Sequence, residues 1–144
     1  AEIGKMPTRI ASRVSMFSYG VKTSTTEDLH RFPGARRARL RNGSPVVHDV
    51  FDCFRQVNNE IIEGDSATKS FEPLEQDQSQ ISFDIYATTN PDAVFIDEPH
   101  MEKIGVLKIN VGANPQLVKT VWVTFRFQAN FVLITARRDR DNYQ

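Results

Sequence analysis

Cysteine is almost absent from this chain. Of 144 residues only Cys53 carries a thiol, so no internal disulfide is available and the expected setting is reducing and cytoplasmic. Net charge is absent as well: 18 Lys and Arg balance 18 Asp and Glu. That balance argues against nucleic acid or an anionic membrane as the main partner. No apolar run approaches the roughly 20 residues of a membrane helix, and no signal peptide is visible. Catalytic patterns are missing too. His30, His48 and His100 are widely spaced and fit neither an H-x-x-x-H nor a C-x-x-C arrangement, which leaves no expected metal site. There is no G-x-S-x-G elbow and no G-x-x-x-x-G-K or G-x-G-x-x-G loop to cradle phosphate. Cys53 lies between Asp52 and Phe54. A neighbouring carboxylate raises a thiol pKa, so this cysteine reads as buried and inert. The expectation is a domain that is not an enzyme and carries no catalytic residue, metal or cofactor of its own.

What the chain does have is core. It is 40% hydrophobic, with 10 Phe, and a chain of this size buries roughly two-thirds of its unfolded surface as one globular domain. The clearest pattern is KTVWVTFRFQANFVLITARR, residues 119–138. Val121, Val123, Phe125 and Phe127 alternate with Trp122, Thr124, Arg126 and Gln128, the period of a strand with one buried face. A short break at Gln128-Ala129-Asn130 leads to a second β-rich run from Phe131 to Ala136, which predicts an antiparallel hairpin. Asn130 is the residue expected at positive φ there, because no glycine is present. Ile81, Phe83 and Ile85 alternate with Ser82, Asp84 and Tyr86 in a second clear strand.

Weaker signals fill in the rest. Arg13 to Thr23 is apolar on both faces and reads as one central strand, with Gly20 marking a bulge or a close backbone approach. Val46 to Val57 is ambiguous: Val46, Val47, Val50, Phe51 and Phe54 fit a helical stripe, whereas the β-rich neighbours favour a strand. Thr68 to Leu74 reads as a strand ended by Pro73, and Ile104 to Val111 as a short one. Thr23 to Pro45 is polar and breaker-rich and reads as a long loop. The run from Arg36 to Arg41 within it reads as a solvated, mobile segment rather than a patch for phosphate or an acidic partner. Many short strands without a confident helix predict an all-β, antiparallel sandwich.

In order, these segments resemble the peptide-binding β-sandwich of the heat-shock 70 kDa chaperones, in the form of its divergent 12A/12B branch. Met16-Phe17-Ser18-Tyr19-Gly20-Val21-Lys22-Thr23 is similar to that family's opening strand, which ends Gly-Ile-Glu-Thr, and Tyr-Gly-Val is the divergent form. Thr68 to Leu74 is similar to the strand ending Val-Phe-Ser-Thr, and Ser79 to Tyr86 to the strand after it. Ile104-Gly105-Val106-Leu107-Lys108-Ile109 resembles Leu-Gly-x-Phe-x-Leu. Val121 to Phe127 resembles Ile-Glu-Val-Thr-Phe-Asp-Ile, and Ile134-Thr135-Ala136-Arg137 resembles Val-Ser-Ala-Lys.

The resemblance covers residues 13 to 138, with an insertion at about 24–45. It implies that residues 1–12 are the tail of a preceding ATPase domain or linker, and that 139–144 lead toward a helical lid. The sequence, beginning at Ala1, then reads as a piece of a longer protein. It further implies a stress-response chaperone module that holds extended apolar peptides or unfolded protein in a channel between two loops. Nucleic acid and membrane are not expected partners, the parent's ATPase domain is one, and ATP is expected only in that separate domain. Position by position, Val21, Ile81 and Phe83 would line the central pocket with Phe71 beneath, and Ser24 and Leu74 would form the arch over the peptide. The chain departs from the family in four ways. Ser24 is polar where the arch residue is apolar, the first loop is longer, the last hairpin is shorter and lacks Asn-Gly, and the leucine-rich linker is not recognisable. The polar Ser24 and the basic loop favour an alternative: an adaptor that docks one specific partner through the sandwich or that loop.

Overall fold

The computed structural model describes residues 12–74, 78–112, 119–128 and 131–138. The described residues form ten strands: β1 (Ser12–Val14), β2 (Ser18–Thr25), β3 (Arg37–Arg39), β4 (Pro45–Arg55), β5 (Glu60–Ile62), β6 (Ser66–Phe71), β7 (Gln80–Thr88), β8 (Met101–Asn110), β9 (Val121–Phe127) and β10 (Val132–Arg138). The fold is all-β, a sandwich of two antiparallel sheets. One sheet has five strands in the order β3-β4-β2-β7-β8 and the other has three in the order β10-β9-β6. A small β1-β5 pair stands at one end.

The alternation in β9 and β7 fixes which faces meet. Val121, Val123, Phe125 and Phe127 of β9 have no exposed surface, and they pack against Val21, Ile81, Phe83 and Ile85 from the larger sheet. Phe54 from β4 lies 4.4 Å from the Phe125 ring, centre to centre, within the range of favourable aromatic pairs. β9 and β10 pair as the expected hairpin, with Phe127 opposite Val132. Asn130, the expected positive-φ position, lies outside the described residues.

Three readings need correction or resolution. The single strand expected over Arg13 to Thr23 is two, because the chain breaks at Ser15, whose N–H donates to the Asn59 carbonyl and whose carbonyl accepts from Asn58 N–H. The ambiguous segment at Val46 to Val57 is strand β4, and its helix-like stripe has a specific cause. Against β2, Val47 opposes Thr25 but Val50 opposes Thr23, so β4 carries an extra residue there, and Asp49 sits at φ 63°. A bulge of this kind resets the alternation of side chains, and β4 buries residues on both of its faces. A second shift lies at Gly20, where a Cβ would fall 2.2 Å from the Asp52 carbonyl oxygen. The close approach expected at that glycine is real.

The third correction concerns the segment from Thr23 to Pro45, which is not one long loop. β2 continues to Thr25, two 3₁₀ turns follow (Leu29–Arg31 and Gly34–Arg36), and β3 pairs with β4. Phe32 packs on Phe95, Val47 and Val50 in a second small core. Arg36 donates two hydrogen bonds to the Asp97 carboxylate, at 2.9 and 2.8 Å, while its guanidinium lies 3.9 Å from the Phe95 ring centre. A bridge between Val50 and Phe95 seats the 94–98 stretch on β4 beside the insertion. Arg37 and Arg39 donate to the carbonyls of Leu29 and Gly43, so these arginines tie the insertion together.

Candidate functional site

Strand ends build the most developed concave surface that the sequence-predicted residues share. The end of β2 runs into Thr26 and Glu27, and the end of β6 runs into Glu72, Pro73 and Leu74. The start of β7 supplies the floor between them. Pro73 has no backbone N–H for a ladder, which is one reason β6 stops at Phe71 and the chain turns away to form a wall. β7 presents Ile81 and Phe83 to the same face because they are two apart on a strand.

Two connected clefts result. The smaller, about 160 Å³, is lined by Ser24, Phe71, Leu74, Ile81 and Phe83 together with polar rim residues such as Lys22 and Gln78. The larger, about 610 Å³, shares Thr23, Ser24 and the stretch from Phe71 to Leu74 with it and opens toward Leu40, Asn42 and Ser44. Phe71 is half-buried and touches Phe83 and Phe54, with ring centres 5.3 and 6.2 Å away. Leu74 is exposed on the rim. Ser24 Oγ and His48 Nδ1 are 2.8 Å apart, so the hydroxyl has a partner within the protein.

Five of the six residues singled out from sequence therefore meet in one cleft. Val21 does not. It has no exposed surface, sits in the same buried core cluster as Ile81 and Phe83, and does not line the cleft. The expectation had Val21 in the pocket lining and Phe71 beneath; Phe71 lines the cleft and Val21 does not. Strand alternation gives Val21 an inward face.

The sequence reading missed the contribution of the insertion. Leu40, Asn42 and Ser44 close one end of the larger cleft, in a turn held by Leu40 N–H to the Ser44 carbonyl and Gly43 N–H to the Leu40 carbonyl. The Asn42-Gly43 pair was the available signal, since it marks a hairpin turn. The charged lining of the larger cleft is acidic: Glu27, Asp52 and Glu72. Asp52 is paired with Lys69, whose Nζ also donates to the Cys53 carbonyl at 2.9 Å.

The histidines are dispersed, and among the described residues no group of three or more His, Cys, Asp or Glu is placed to hold a metal ion. Cys53 is half-buried, and burial pushes its thiol pKa up. Desolvation is the leading cause, with the adjacent Asp52 a minor one, reversing the emphasis expected from sequence. At the insertion clamp, the hydrogen bonds from Arg36 hold the Asp97 carboxyl below its ordinary range. No helix among the described residues is long and apolar enough to cross a membrane.

No family model matches the chain. Among curated proteins it is similar to Heat shock 70 kDa protein 12A of Homo sapiens and of Mus musculus, 26% identical over 108 residues in each case. It is also similar to Heat shock 70 kDa protein 12B of Homo sapiens, 28% identical over 112 residues. Each match takes in 75% of this chain and 16% of the relative's length, so the chain spans only a small part of these relatives. The similarity falls on the same 12A/12B branch that the strand motifs resemble.

Proposed function

We propose that this sandwich is the peptide-holding part of a protein like the heat-shock 70 kDa family, and that it binds extended, apolar peptide segments in the groove between the ends of β2 and β6. One observation carries this reading: Ser24, Phe71, Leu74, Ile81 and Phe83, distant in sequence, line one cleft of about 160 Å³ that opens into a longer groove. An apolar cavity of about 150 Å³ accepts a benzene ring, so this cleft suits a single Leu or Ile side chain. The longer groove takes the peptide main chain against the polar ends of β2 and β6. Burying one such side chain yields roughly 1.5–3 kcal/mol, so the affinity is modest, in the micromolar range at about −8 kcal/mol in total. Any ATP-driven cycle belongs to another part of the parent protein, and cytoplasmic residence is part of the same proposal.

A second reading is supported by the ordered insertion. Arg37 and Arg39 stand on an exposed strand and, among the described residues, donate to backbone carbonyls, so an adaptor contact with one folded partner fits that surface. Fluorescence anisotropy with labelled Leu-rich peptides tests both readings. The expected result is micromolar binding of many such peptides, weakened at least tenfold by Leu74→Asp and by Ile81→Asp in protein that still melts cooperatively. No binding by the unaltered chain, or binding indifferent to both changes, rejects the groove and leaves the adaptor reading.

A further inference from the structure

One polar contact at the groove joins two strands. Three hydroxyls of β2 line the larger cleft, those of Thr23, Ser24 and Thr25. Thr23 and Thr25 donate to nearby carbonyls, of Ser24 and Glu27 respectively. Ser24 instead meets a side chain of another strand, with its Oγ 2.8 Å from Nδ1 of His48 on β4. His48 lines neither cleft, so it acts on the groove only through Ser24.

The bulge in β4 brings His48 to that position. Thr25 opposes Val47 and Thr23 opposes Val50, so His48 and Asp49 together stand opposite Ser24. A regular strand would set one residue there, and the extra one re-aims the side chains around it. Asp49 takes the left-handed φ of 63°, and its carbonyl accepts from Ile96 N–H, which fastens it to the 94–98 stretch. His48 is left to meet the hydroxyl.

We propose that His48 is a positioning residue: it fixes the direction of the Ser24 hydroxyl and so makes Ser24 an acceptor for one backbone N–H of the bound peptide. This inference rests on the peptide-binding reading above. A neutral imidazole with its proton on Nε2 offers Nδ1 as an acceptor, and the Ser24 O–H is then the donor to it. That bond uses the single hydrogen the hydroxyl has. The oxygen keeps two lone pairs for other partners, and donating to the ring strengthens it as an acceptor. An extended peptide presents N–H groups along its length, and Ser24 selects for one at the position that faces it. A proline there, which has no N–H, is disfavoured.

The test uses the 144-residue chain and a labelled Leu-rich peptide, with a series in which each backbone N–H in turn is replaced by an ester oxygen. Fluorescence anisotropy is expected to reveal one position where the ester weakens binding about fivefold, the scale of one hydrogen bond. That penalty should vanish in Ser24→Ala and in His48→Leu. It should return in His48→Asn, whose amide oxygen can accept in place of Nδ1. Ester and amide peptides that bind alike at every position, or penalties that Ser24→Ala leaves unchanged, would overturn the proposal. A penalty lost in Ser24→Ala but kept in His48→Leu overturns the role of His48 and leaves the groove standing. No peptide binding by the unaltered chain rejects the groove itself, and this inference with it. Should a substituted protein fail to melt cooperatively, long-range ¹H–¹⁵N spectra of the unaltered chain decide: in mildly alkaline buffer His48 Nδ1 is expected to carry no proton, and a protonated Nδ1 overturns the proposal.

Discussion

Replacing Gly20 with alanine is expected to be the most costly single-methyl addition in this chain. A Cβ built on Gly20 falls 2.2 Å from the Asp52 carbonyl oxygen, 2.9 Å from that carbonyl carbon and 2.9 Å from Phe51 Cε1. Two of the three clashing atoms are backbone of the paired strand, at a register shift between β2 and β4. The Phe51 ring can turn slightly, but the Asp52 carbonyl can withdraw only by parting the strands. Overpacking a well-filled interior costs about 1–3 kcal/mol, and a collision with backbone belongs at the upper end, about 3 kcal/mol. For a domain of this size each kcal/mol moves Tm by about 2–4 °C, so the expected fall is about 6–12 °C. Urea melts supply the check, because a loss of stability lowers the midpoint while leaving the slope unchanged. Gly105→Ala is the control. Nothing lies within 4 Å of its Cβ, and this variant is expected within about 1 kcal/mol of the parent, on the stabilising side if anything. A Gly20→Ala protein with the stability of the Gly105→Ala control would refute the reasoning.

Three other outcomes follow from the same structure. Phe125 has no exposed surface and stacks near Phe54, so Phe125→Ala should cost about 3–5 kcal/mol in a urea melt, while Thr124→Ala on the opposite face should cost far less. The Asp97 carboxyl is held below its ordinary range by Arg36, so the clamp is complete above the ordinary aspartate range and is lost as pH falls through the lowered native value. Amide exchange of residues 34–39 should therefore speed up in acid, and Asp97→Asn should show the same fast exchange at neutral pH with the global melt nearly unchanged. Burial raises the Cys53 thiol pKa, so alkylation by iodoacetamide at neutral pH should run at least about tenfold slower than for a free thiol and climb as the pH passes above the ordinary thiol range. Alkylation as fast as glutathione's would contradict that environment.

How far the chain could be read without coordinates depended on where the governing contacts lay. β7 and β9 were legible because each buries one face completely, and a strict period of two has no other reading over that length. β4 was not, because the bulge at Asp49 breaks its period and spaces Val46, Val47, Val50, Phe51 and Phe54 like a helix. The insertion was misread for a different reason. Arg36 looks like one charge in a solvated run, and its partner Asp97 lies 61 residues further on. In the groove, Ser24, Phe71, Leu74, Ile81 and Phe83 come together along one cleft, since a strand's end and its following loop stay together. Val21, expected in the pocket lining, is instead wholly buried in the core, and strand alternation alone does not separate a core position from a lining one.

The hairpin formed by β3, the Leu40–Ser44 turn and the start of β4 links two separate parts of the molecule. Its tip closes one end of the larger cleft, and its base is pinned to the 94–98 stretch by Arg36, Asp97 and Phe95. One wall of the larger cleft is thus anchored at residues that do not line it. Changes at Asp97 or Phe95 are expected to alter the shape of that cleft without removing any residue that lines it.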